Sequence, residues 1–329
     1  MLDQTTATLP LLAAAELWLI SGPEAGPTVD SACYLGLDAL ADASRESAHH
    51  ARRHPVAETF ADLQPRIVND LADFGFLVKE AADMVGIAAA VLIPTYRGAE
   101  VDRVLVLYLR GPVGDGQNPT GACGAAELWT GSRGRFELSR SAGHYADLER
   151  FERVSQYVNF PRGAGLPGIC WETFSARIVP DVGVAKGFLR SAGQGPTRLT
   201  VGLGLPIVYR TDLRAVLLLL SSARCPLVPV QEVWVQDPGD PQRIVRGQGV
   251  YGGLMTLADA TRDLSCTVGD GLVGRAWSTA APQILEGDAA LASLGSKRLE
   301  AARDAGIRLA IAVPVVVPTG VRCVVTLMG

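Results

Sequence analysis

Ala125-Ala126-Glu127-Leu128-Trp129 is the stretch from which the organisation of this sequence can be read, because it occurs three times. The pattern is also found as Ala14-Ala15-Glu16-Leu17-Trp18 near the start and as Val230-Gln231-Glu232-Val233-Trp234 further on. The glutamates are separated by 111 and 105 residues, which indicates an internal repeat of long period. Within each copy the glutamate and the tryptophan are two positions apart, so on a strand they lie on the same face.

Other residue types recur at fixed distances from the glutamate. A tyrosine follows after 18, 18 and 19 residues, and a bulky aromatic residue follows after 44, 44 and 45 residues. The tyrosines are Tyr34, Tyr145 and Tyr251, and the bulky aromatic residues are Phe60, Trp171 and Trp277. Two apolar residues spaced i, i+3 come after each tyrosine and predict a short helix that packs one side onto a core.

The second half of each copy predicts strands and one further helix. Short apolar runs near 66–68, 177–179 and 283–285 are typical of strands. An aspartate that could cap the next helix follows each run, and in the third copy this aspartate comes one residue later. Helices are clearest at 76–84 and 296–305. A strand reaching Pro94, Pro206 or Pro314 then precedes a closing apolar strand at 104–109, 215–220 or 321–328. We therefore expect unit one at 1–110, unit two at 111–224 and unit three at 225–329.

Composition favours a soluble globular chain. Of 329 residues, 48% are hydrophobic and 19% charged, so a large core is expected and disorder is not. The net charge of −4 and the lack of basic runs argue against a nucleic-acid partner. The apolar run at 9–20 contains Glu16 and is too short to span a bilayer. Six scattered cysteines without a C-x-x-C argue against disulfides and structural zinc, so we expect a cytoplasmic protein.

A glycine-rich run points to a family. In unit three, Gly269-Asp270-Gly271-Leu272-Val273-Gly274-Arg275-Ala276-Trp277 precedes a short strand, a helix and the strand at 310–315. That order resembles the GAF domain family, a ligand-sensing fold with a central antiparallel sheet and helices beside it. Unit two keeps the run at 163–171, whereas unit one has His54-Pro55-Val56-Ala57-Glu58 in its place. The resemblance implies an α+β chain of three tandem GAF-like units, each an antiparallel sheet flanked by short helices, the first unit degenerate.

One feature departs from the family. GAF domains are usually bounded by long helices that cover one face of the sheet, but the connection at 221–230 is short and contains Pro226 and Pro229. The closing strands are nevertheless continuous apolar runs, as expected of strands buried on both faces. We therefore expect no long helices between the units. The second sheet face should be covered by packing between the units or between protomers of a homo-oligomer.

Each repeated motif has a structural and a functional interpretation. In the functional interpretation, the glutamate–tryptophan pair forms the wall of a ligand pocket. In the structural interpretation, the tryptophan lies in the core and the glutamate accepts backbone N–H groups or pairs with an arginine. Because the pair occurs three times, the structural interpretation is favoured. The glycine runs are either tight turns that feed a strand, the favoured interpretation, or backbone anion sites. Arg275 supports an anion site in unit three, while unit two has Ile169 there.

The candidate ligand-binding residues follow from these motifs and from the position of the cavity that the resemblance implies. The aromatic members are equally compatible with a core, and the runs at 163–171 and 269–277 are the preferred targets for mutation. The candidates are Trp129, Tyr145, Trp171, Trp234, Tyr251, Arg275 and Trp277.

Catalysis and metal binding find little support. His50 and His54 are spaced i, i+4, which permits a metal ligand pair, but the neighbouring arginines favour a solvated helix face, and we expect no metal. Some GAF-like proteins reduce free methionine sulfoxide with clustered cysteines. Cys170 and Cys266 do not occupy equivalent columns and have no histidine nearby, so buried, unreactive thiols are expected. No catalytic residue and no cofactor is identified.

The leading hypothesis is therefore a non-enzymatic, small-molecule-binding regulatory protein. Because the sequence ends at Gly329, directly after the third closing strand, we expect it to signal through a protein partner or its own homo-oligomer. The alternative is a structural scaffold that assembles through exposed sheet faces. A thiol reductase, such as a methionine sulfoxide reductase, is third.

Overall fold

The computed structural model describes residues 9–20, 26–47, 54–111, 124–131, 136–146, 148–184 and 199–329. These residues form three antiparallel sheets of five, six and six strands, and each sheet takes all its strands from one unit. Short helices accompany every sheet, and the longest of them has 10 residues. The predicted α+β class with three tandem units is confirmed, and within the described ranges no long helix separates the units.

Unit one has a sheet of order β2-β1-β5-β4-β3. Its strands are β1 (Leu12–Ile20), β2 (Pro27–Cys33), β3 (Arg66–Val68), β4 (Ile87–Arg97) and β5 (Glu100–Arg110). Its helices are α1 (Asp38–Ser47), α2 (Pro55–Asp62) and α3 (Phe76–Met84), with a 3-10 turn at Leu71–Phe74.

Unit two repeats this order and adds an outer strand, giving β8-β7-β6-β11-β10-β9. Its strands are β6 (Gly124–Gly131), β7 (Glu137–Ala146), β8 (Asn159–Pro161), β9 (Arg177–Val179), β10 (Leu199–Tyr209) and β11 (Asp212–Ser222). Its helices are α4 (Glu149–Ser155) and α5 (Gly165–Thr173).

Unit three has the same six-stranded order, β14-β13-β12-β17-β16-β15. Its strands are β12 (Val230–Asp237), β13 (Asp240–Val250), β14 (Ser265–Thr267), β15 (Gln283–Glu286), β16 (Leu309–Val317) and β17 (Gly320–Met328). Its helices are α6 (Met255–Thr261), α7 (Gly271–Thr279), α8 (Gly287–Ala292) and α9 (Ser296–Asp304).

The two faces of each sheet lie in different cores. Trp18, Trp129 and Trp234 belong to three separate cores, one between each sheet and its helices. Their neighbours one position earlier on the strands, Leu17, Leu128 and Val233, all belong to one large core shared by the three sheets. Strand alternation therefore sends neighbouring residues into different cores. Of the two expected covers for the second sheet face, packing between the units is the one observed.

The three units close into a ring. The edge strand β3 of unit one packs against β6 and β7, β9 of unit two packs against β12 and β13, and β15 of unit three packs against β1 and β2. Strands β4, β10 and β16 meet at the centre, where Pro94, Pro206 and Pro314 line one small apolar space. The chain is thus a pseudo-threefold assembly of its own repeats.

The glycine runs were predicted to be turns that feed a strand, and this is wrong: both feed a helix, α5 or α7. Cys170 accordingly lies in α5. A Cβ atom on Gly168 or Gly274 would lie 2.1 Å from the carbonyl oxygen of Pro161 or Thr267, so a side chain cannot fit where the helix crosses the outer strand. In the described part of unit one that strand is lacking, and Ala57 stands at the equivalent position.

The predicted aspartate caps are found in part. Asp70 caps the 3-10 turn of unit one by accepting the Ala72 N–H at 3.0 Å, and Asp181 accepts the Gly183 N–H at 2.8 Å. In unit three the prediction is wrong, because α8 begins at Gly287 and Asp288 lies inside it. No helix of the described ranges has the length and apolarity needed to cross a membrane.

Candidate functional site

The three repeated glutamates are fully buried, and each binds the tryptophan two residues later. The Trp18 Nε1–H donates to Glu16 at 2.7 Å, Trp129 to Glu127 at 3.0 Å and Trp234 to Glu232 at 3.0 Å. The recurring tyrosine completes the cluster, since its hydroxyl also donates to the glutamate. These second bonds are Tyr34–Glu16 at 2.7 Å, Tyr145–Glu127 at 2.6 Å and Tyr251–Glu232 at 2.5 Å. The recurring spacing of glutamate, tryptophan and tyrosine in the sequence therefore corresponds to the same hydrogen bonds in all three units.

In units one and three, different side chains donate the remaining hydrogen bonds to the glutamate carboxylate. In unit three the Arg298 guanidinium donates to Glu232 at 2.9 Å and the Thr326 hydroxyl does so at 2.9 Å. In unit one the Tyr108 hydroxyl donates to Glu16 at 3.1 Å. Burial raises the pKa of Glu16, although its hydrogen bonds oppose that shift. The pair of Glu232 with Arg298 is an ion pair inside a core, which the core interpretation of the motif anticipated.

Four predicted ligand-binding residues belong to these clusters. Trp129 and Trp234 have no exposed surface, Tyr251 is 6% exposed and Tyr145 is partly buried. The Arg140 guanidinium lies 5.5 Å from the Tyr145 ring, and Arg246 lies 5.5 Å from that of Tyr251. All four face the helices of their units, on the side of the sheet opposite the shared core. Contact with a ligand there requires it to enter between sheet and helices.

The other three predicted residues lie on the helices that the glycine runs begin. Trp171 on α5 and Trp277 on α7 are partly buried against the cores of their units, while Arg275 on α7 is exposed. Within each run the first glycine donates its N–H to the last, Gly163 to the Gly168 carbonyl at 2.9 Å and Gly269 to the Gly274 carbonyl at 2.9 Å. These N–H groups are therefore used inside the loop.

The thiols of Cys170 and Cys266 are held in their neutral form. Burial raises the pKa of Cys170 to about 12 and that of Cys266 to about 11. A thiolate is the reactive form of cysteine, so neither side chain is an activated nucleophile near neutral pH. None of the five described cysteines forms a disulfide, and Cys123 lies outside the described residues.

His54 has a structural role in unit one. It is the N-cap of α2, where its Nδ1 accepts the Val56 N–H at 3.3 Å. Its ring packs 5.1 Å from those of Trp18 and Phe74, and burial lowers its pKa to about 4. The solvated face proposed for this cluster is wrong for His54, which is 1% exposed. His49 and His50 lie outside the described residues.

A cleft of about 660 Å³ lies between units one and two, where β3 faces β6 and β7. Its polar lining comprises Glu58, Gln64, Arg66, Asn69, Asp73, Thr130 and Ser141. Its apolar lining comprises Pro55, Pro65, Ile67, Val68, Leu128 and Ala142. None of the predicted ligand-binding residues lines it. Leu128 and Thr130 flank Trp129 on β6, so alternation directs them to the opposite face of the sheet.

Hydrogen bonds join the two units beside this cleft. The Asn69 side-chain amide donates to the Gly143 carbonyl at 3.0 Å, and the His144 Nδ1 lies 2.9 Å from Asn69 Oδ1. Because Oδ1 is the acceptor, Nδ1 carries the proton of the neutral ring. The His144 Nε2 is buried without a partner, and burial lowers the pKa of His144 to about 4. Sequence reasoning missed this histidine, which carries no motif.

The charges of the cleft are largely paired. Arg66 donates to Asp62 at 2.9 and 2.5 Å and lies 3.5 Å from Glu58. The hydrogen bonds with Asp62 raise the pKa of Arg66, so it stays a cation. Of the groups that line the cleft, Glu58 and Asp73 are negative and Arg66 alone is positive. The cleft therefore offers many hydrogen-bonding groups with a small negative bias.

Comparisons with known proteins gave similarities to solved structures alone. No family model matches the chain, and no curated protein matches it. Among the similar structures is NreA of Staphylococcus aureus, mutated in its nitrate binding site, with 21% identity and a TM-score of 0.26. That match covers 33% of this chain and 80% of NreA.

Two further similar structures come from other bacteria. The GAF domain of the Acinetobacter phosphoenolpyruvate-protein phosphotransferase has 19% identity and a TM-score of 0.23, over 31% of this chain and 54% of its own. Free methionine-R-sulfoxide reductase of Neisseria meningitidis has 16% identity and a TM-score of 0.23, over 31% of this chain and 53% of its own. The chain is thus similar to GAF-domain structures, each over about a third of its length.

Proposed function

We propose that this protein is a non-enzymatic regulator that binds a small molecule in the cleft between units one and two. The observation that carries the proposal is the cleft itself, about 660 Å³ in volume and lined by polar groups from both units. A volume of this order suits a small organic ligand. In unit three the predicted ligand-binding residues Trp234 and Tyr251 are buried in the core between sheet and helices, which favours the cleft.

The position of the cleft supplies a mechanism. Unit one contributes Glu58, Arg66 and Asn69, while unit two contributes Thr130 and Ser141, so a bound molecule bridges two sheets. A ligand that contacts both units stabilises one arrangement of the ring over others, and that change of packing is the signal. The signal passes to a protein partner or to a second copy of the chain.

The fold disfavours the alternative of a structural scaffold. It relied on exposed sheet faces, yet the strand residues that face away from the helices form the shared core, where Leu105, Leu217 and Val325 are at most 1% exposed. The reductase alternative is disfavoured by the raised pKa values of Cys170 and Cys266, which burial causes.

Thermal unfolding with a panel of small polar metabolites tests the proposal. A ligand at about 100 times its Kd stabilises the folded chain by about 2.7 kcal/mol, which raises Tm measurably. Ser141→Trp fills the cleft and should abolish the shift, whereas Tyr157→Trp, at an 87% exposed position of the same unit, should leave it intact. A full shift with Ser141→Trp, or no shift with any compound, would refute the proposal.

A further inference from the structure

We propose that the cleft ligand carries a neutral carboxamide, which occupies the place that the Gln248 side chain fills between units two and three. This inference rests on the proposed function, because it names the ligand class of the same cleft. It follows from comparing two boundaries that the repeat makes equivalent, one of which is filled by a side chain of the protein.

The filled boundary lies between units two and three. There the backbone N–H of Ile178, on the edge strand β9, donates to Gln248 Oε1 at 2.9 Å. Ile178 is opposite Leu203 of β10, and Gln248 is opposite Val233 of β12. The edge strand thus turns a backbone donor toward the next unit, and a carboxamide oxygen accepts it.

The boundary between units one and two has the same registers and a different side chain. Ile67 of β3 is opposite Val91 of β4, so it is the counterpart of Ile178. Ala142 of β7 is opposite Leu128 of β6, so it is the counterpart of Gln248. A methyl group cannot accept a hydrogen bond. The Ile67 N–H is therefore presented to the cleft that both residues line.

The shorter side chain leaves an edge-strand donor of the cleft without the acceptor that the next boundary supplies. Replacement of a glutamine by an alanine leaves the volume of a carboxamide and two methylene groups empty beside an edge-strand donor. A backbone N–H takes an acceptor from the protein, from water or from a ligand. A ligand carbonyl oxygen placed there makes the bond that Gln248 makes at the next boundary.

The surrounding groups select an amide over a carboxylate. Glu58 and Asp73 already give the lining more negative than positive charge, and Arg66 is bonded to Asp62. A ligand carboxylate would meet like charge without a free cation. A carboxamide NH₂ instead finds acceptors, since the Ser141 hydroxyl uses its proton on the Leu128 carbonyl at 3.1 Å and retains its lone pairs.

Benzamide and benzoate are the matched probes, because they share size and shape and differ in charge and in the NH₂ group. Titration calorimetry on the full chain should show benzamide binding about tenfold more tightly than benzoate. Ala142→Gln installs the side chain of the filled boundary and should abolish benzamide binding while raising Tm. Equal or tighter binding of benzoate, or benzamide binding unaffected by Ala142→Gln, would overturn the inference.

Gln248→Ala provides the reciprocal test at the other boundary. It should lower Tm, and benzamide should restore part of the loss while benzoate does not. If neither probe binds the wild type but other panel compounds bind in a Ser141→Trp-sensitive manner, the carboxamide inference fails and the proposed function stands. If no compound binds at all, the proposed function fails first.

Discussion

Tyr251 donates its hydroxyl hydrogen to Glu232 over 2.5 Å inside the core of unit three, and the same bond recurs in the other two units. Burial raises the pKa of Tyr251 to about 12, so the hydroxyl keeps its proton near neutral pH. The glutamate, tryptophan and tyrosine therefore act as one hydrogen-bonded group that anchors the first strand of each unit to its second.

Tyr251→Phe removes one donor from a glutamate with no exposed surface. We expect the free energy of unfolding to fall by about 1 kcal/mol, because the buried carboxylate loses one of its four donors. Urea denaturation measures the change. Tyr157→Phe is the control, since that ring is 87% exposed and its variant should be neutral. Equal effects of the two variants would contradict the structural role of the tyrosine.

Arg298→Val should be more damaging than any loss of a hydroxyl. It leaves Glu232 buried without its cation, and breaking a buried ion pair from one side costs about 3–5 kcal/mol. Unit one shows a solution without an arginine, with Tyr108 donating to Glu16. The strand registers make Met328 the counterpart of Tyr108. The double variant Arg298→Val/Met328→Tyr should thus regain part of the loss in urea denaturation. A double variant no more stable than the single one would show that the two cores are not interchangeable.

Gly274→Ala should destabilise unit three severely. The added Cβ would lie 2.1 Å from the Thr267 carbonyl oxygen, and backbone on both sides must move to make room. We expect a loss of more than about 2 kcal/mol, at the upper end of overpacking effects. Gly253→Ala is the control, because no heavy atom would lie within 4 Å of the methyl group added there. Thermal unfolding of both variants decides whether the glycine run serves helix packing.

Acid should weaken the fold through His54 and His144. Burial lowers the pKa of each to about 4, against an ordinary value of 6.5 in the unfolded chain. The unfolded state therefore takes up protons first as the pH falls. The stability from these neutral rings is complete above pH 6.5 and is lost progressively toward pH 4.

The variant His54→Asn/His144→Asn isolates this contribution. Asparagine retains the N-cap of α2 and keeps a hydrogen-bonding group beside Asn69. Urea denaturation at pH about 7.5 and about 4.5 should show a smaller loss for the variant than for the wild type. His49 and His50 are present in both proteins, so their contribution to the pH dependence is the same in each. Parallel pH dependences would show that the two rings titrate normally.

Local features followed from the sequence where short-range chemistry decides them. The helix predicted at 76–84 is α3 (Phe76–Met84), and the one at 296–305 is α9 (Ser296–Asp304). The shared face of Glu16 and Trp18 follows from strand alternation and is confirmed by their hydrogen bond. The glycine runs were misread as turns before strands because glycine serves tight turns and close packing alike. Only the carbonyl of Thr267 beside Gly274 shows which requirement applies.

The candidate site could not be predicted in the same way. Trp129 and Tyr145 stood out because they repeat, but repeated residues here build the part of the fold that all units share. Unit two has Ala142 where unit three has Gln248, and the two positions align only once the strand registers are known.

By itself the sequence determined that the chain has three similar units, which columns recur, and where the closing strands and the helices α3 and α9 lie, because those properties depend on spacing within about a hundred residues. The tertiary structure alone decided that the units close into a ring and that a cleft opens at one boundary. Asn69 reaches Gly143 and His144 from another unit, and Glu286 accepts the Leu35 N–H at 3.2 Å across 251 residues of chain. Contacts of that kind arise from the packing of whole sheets, which no local pattern encodes.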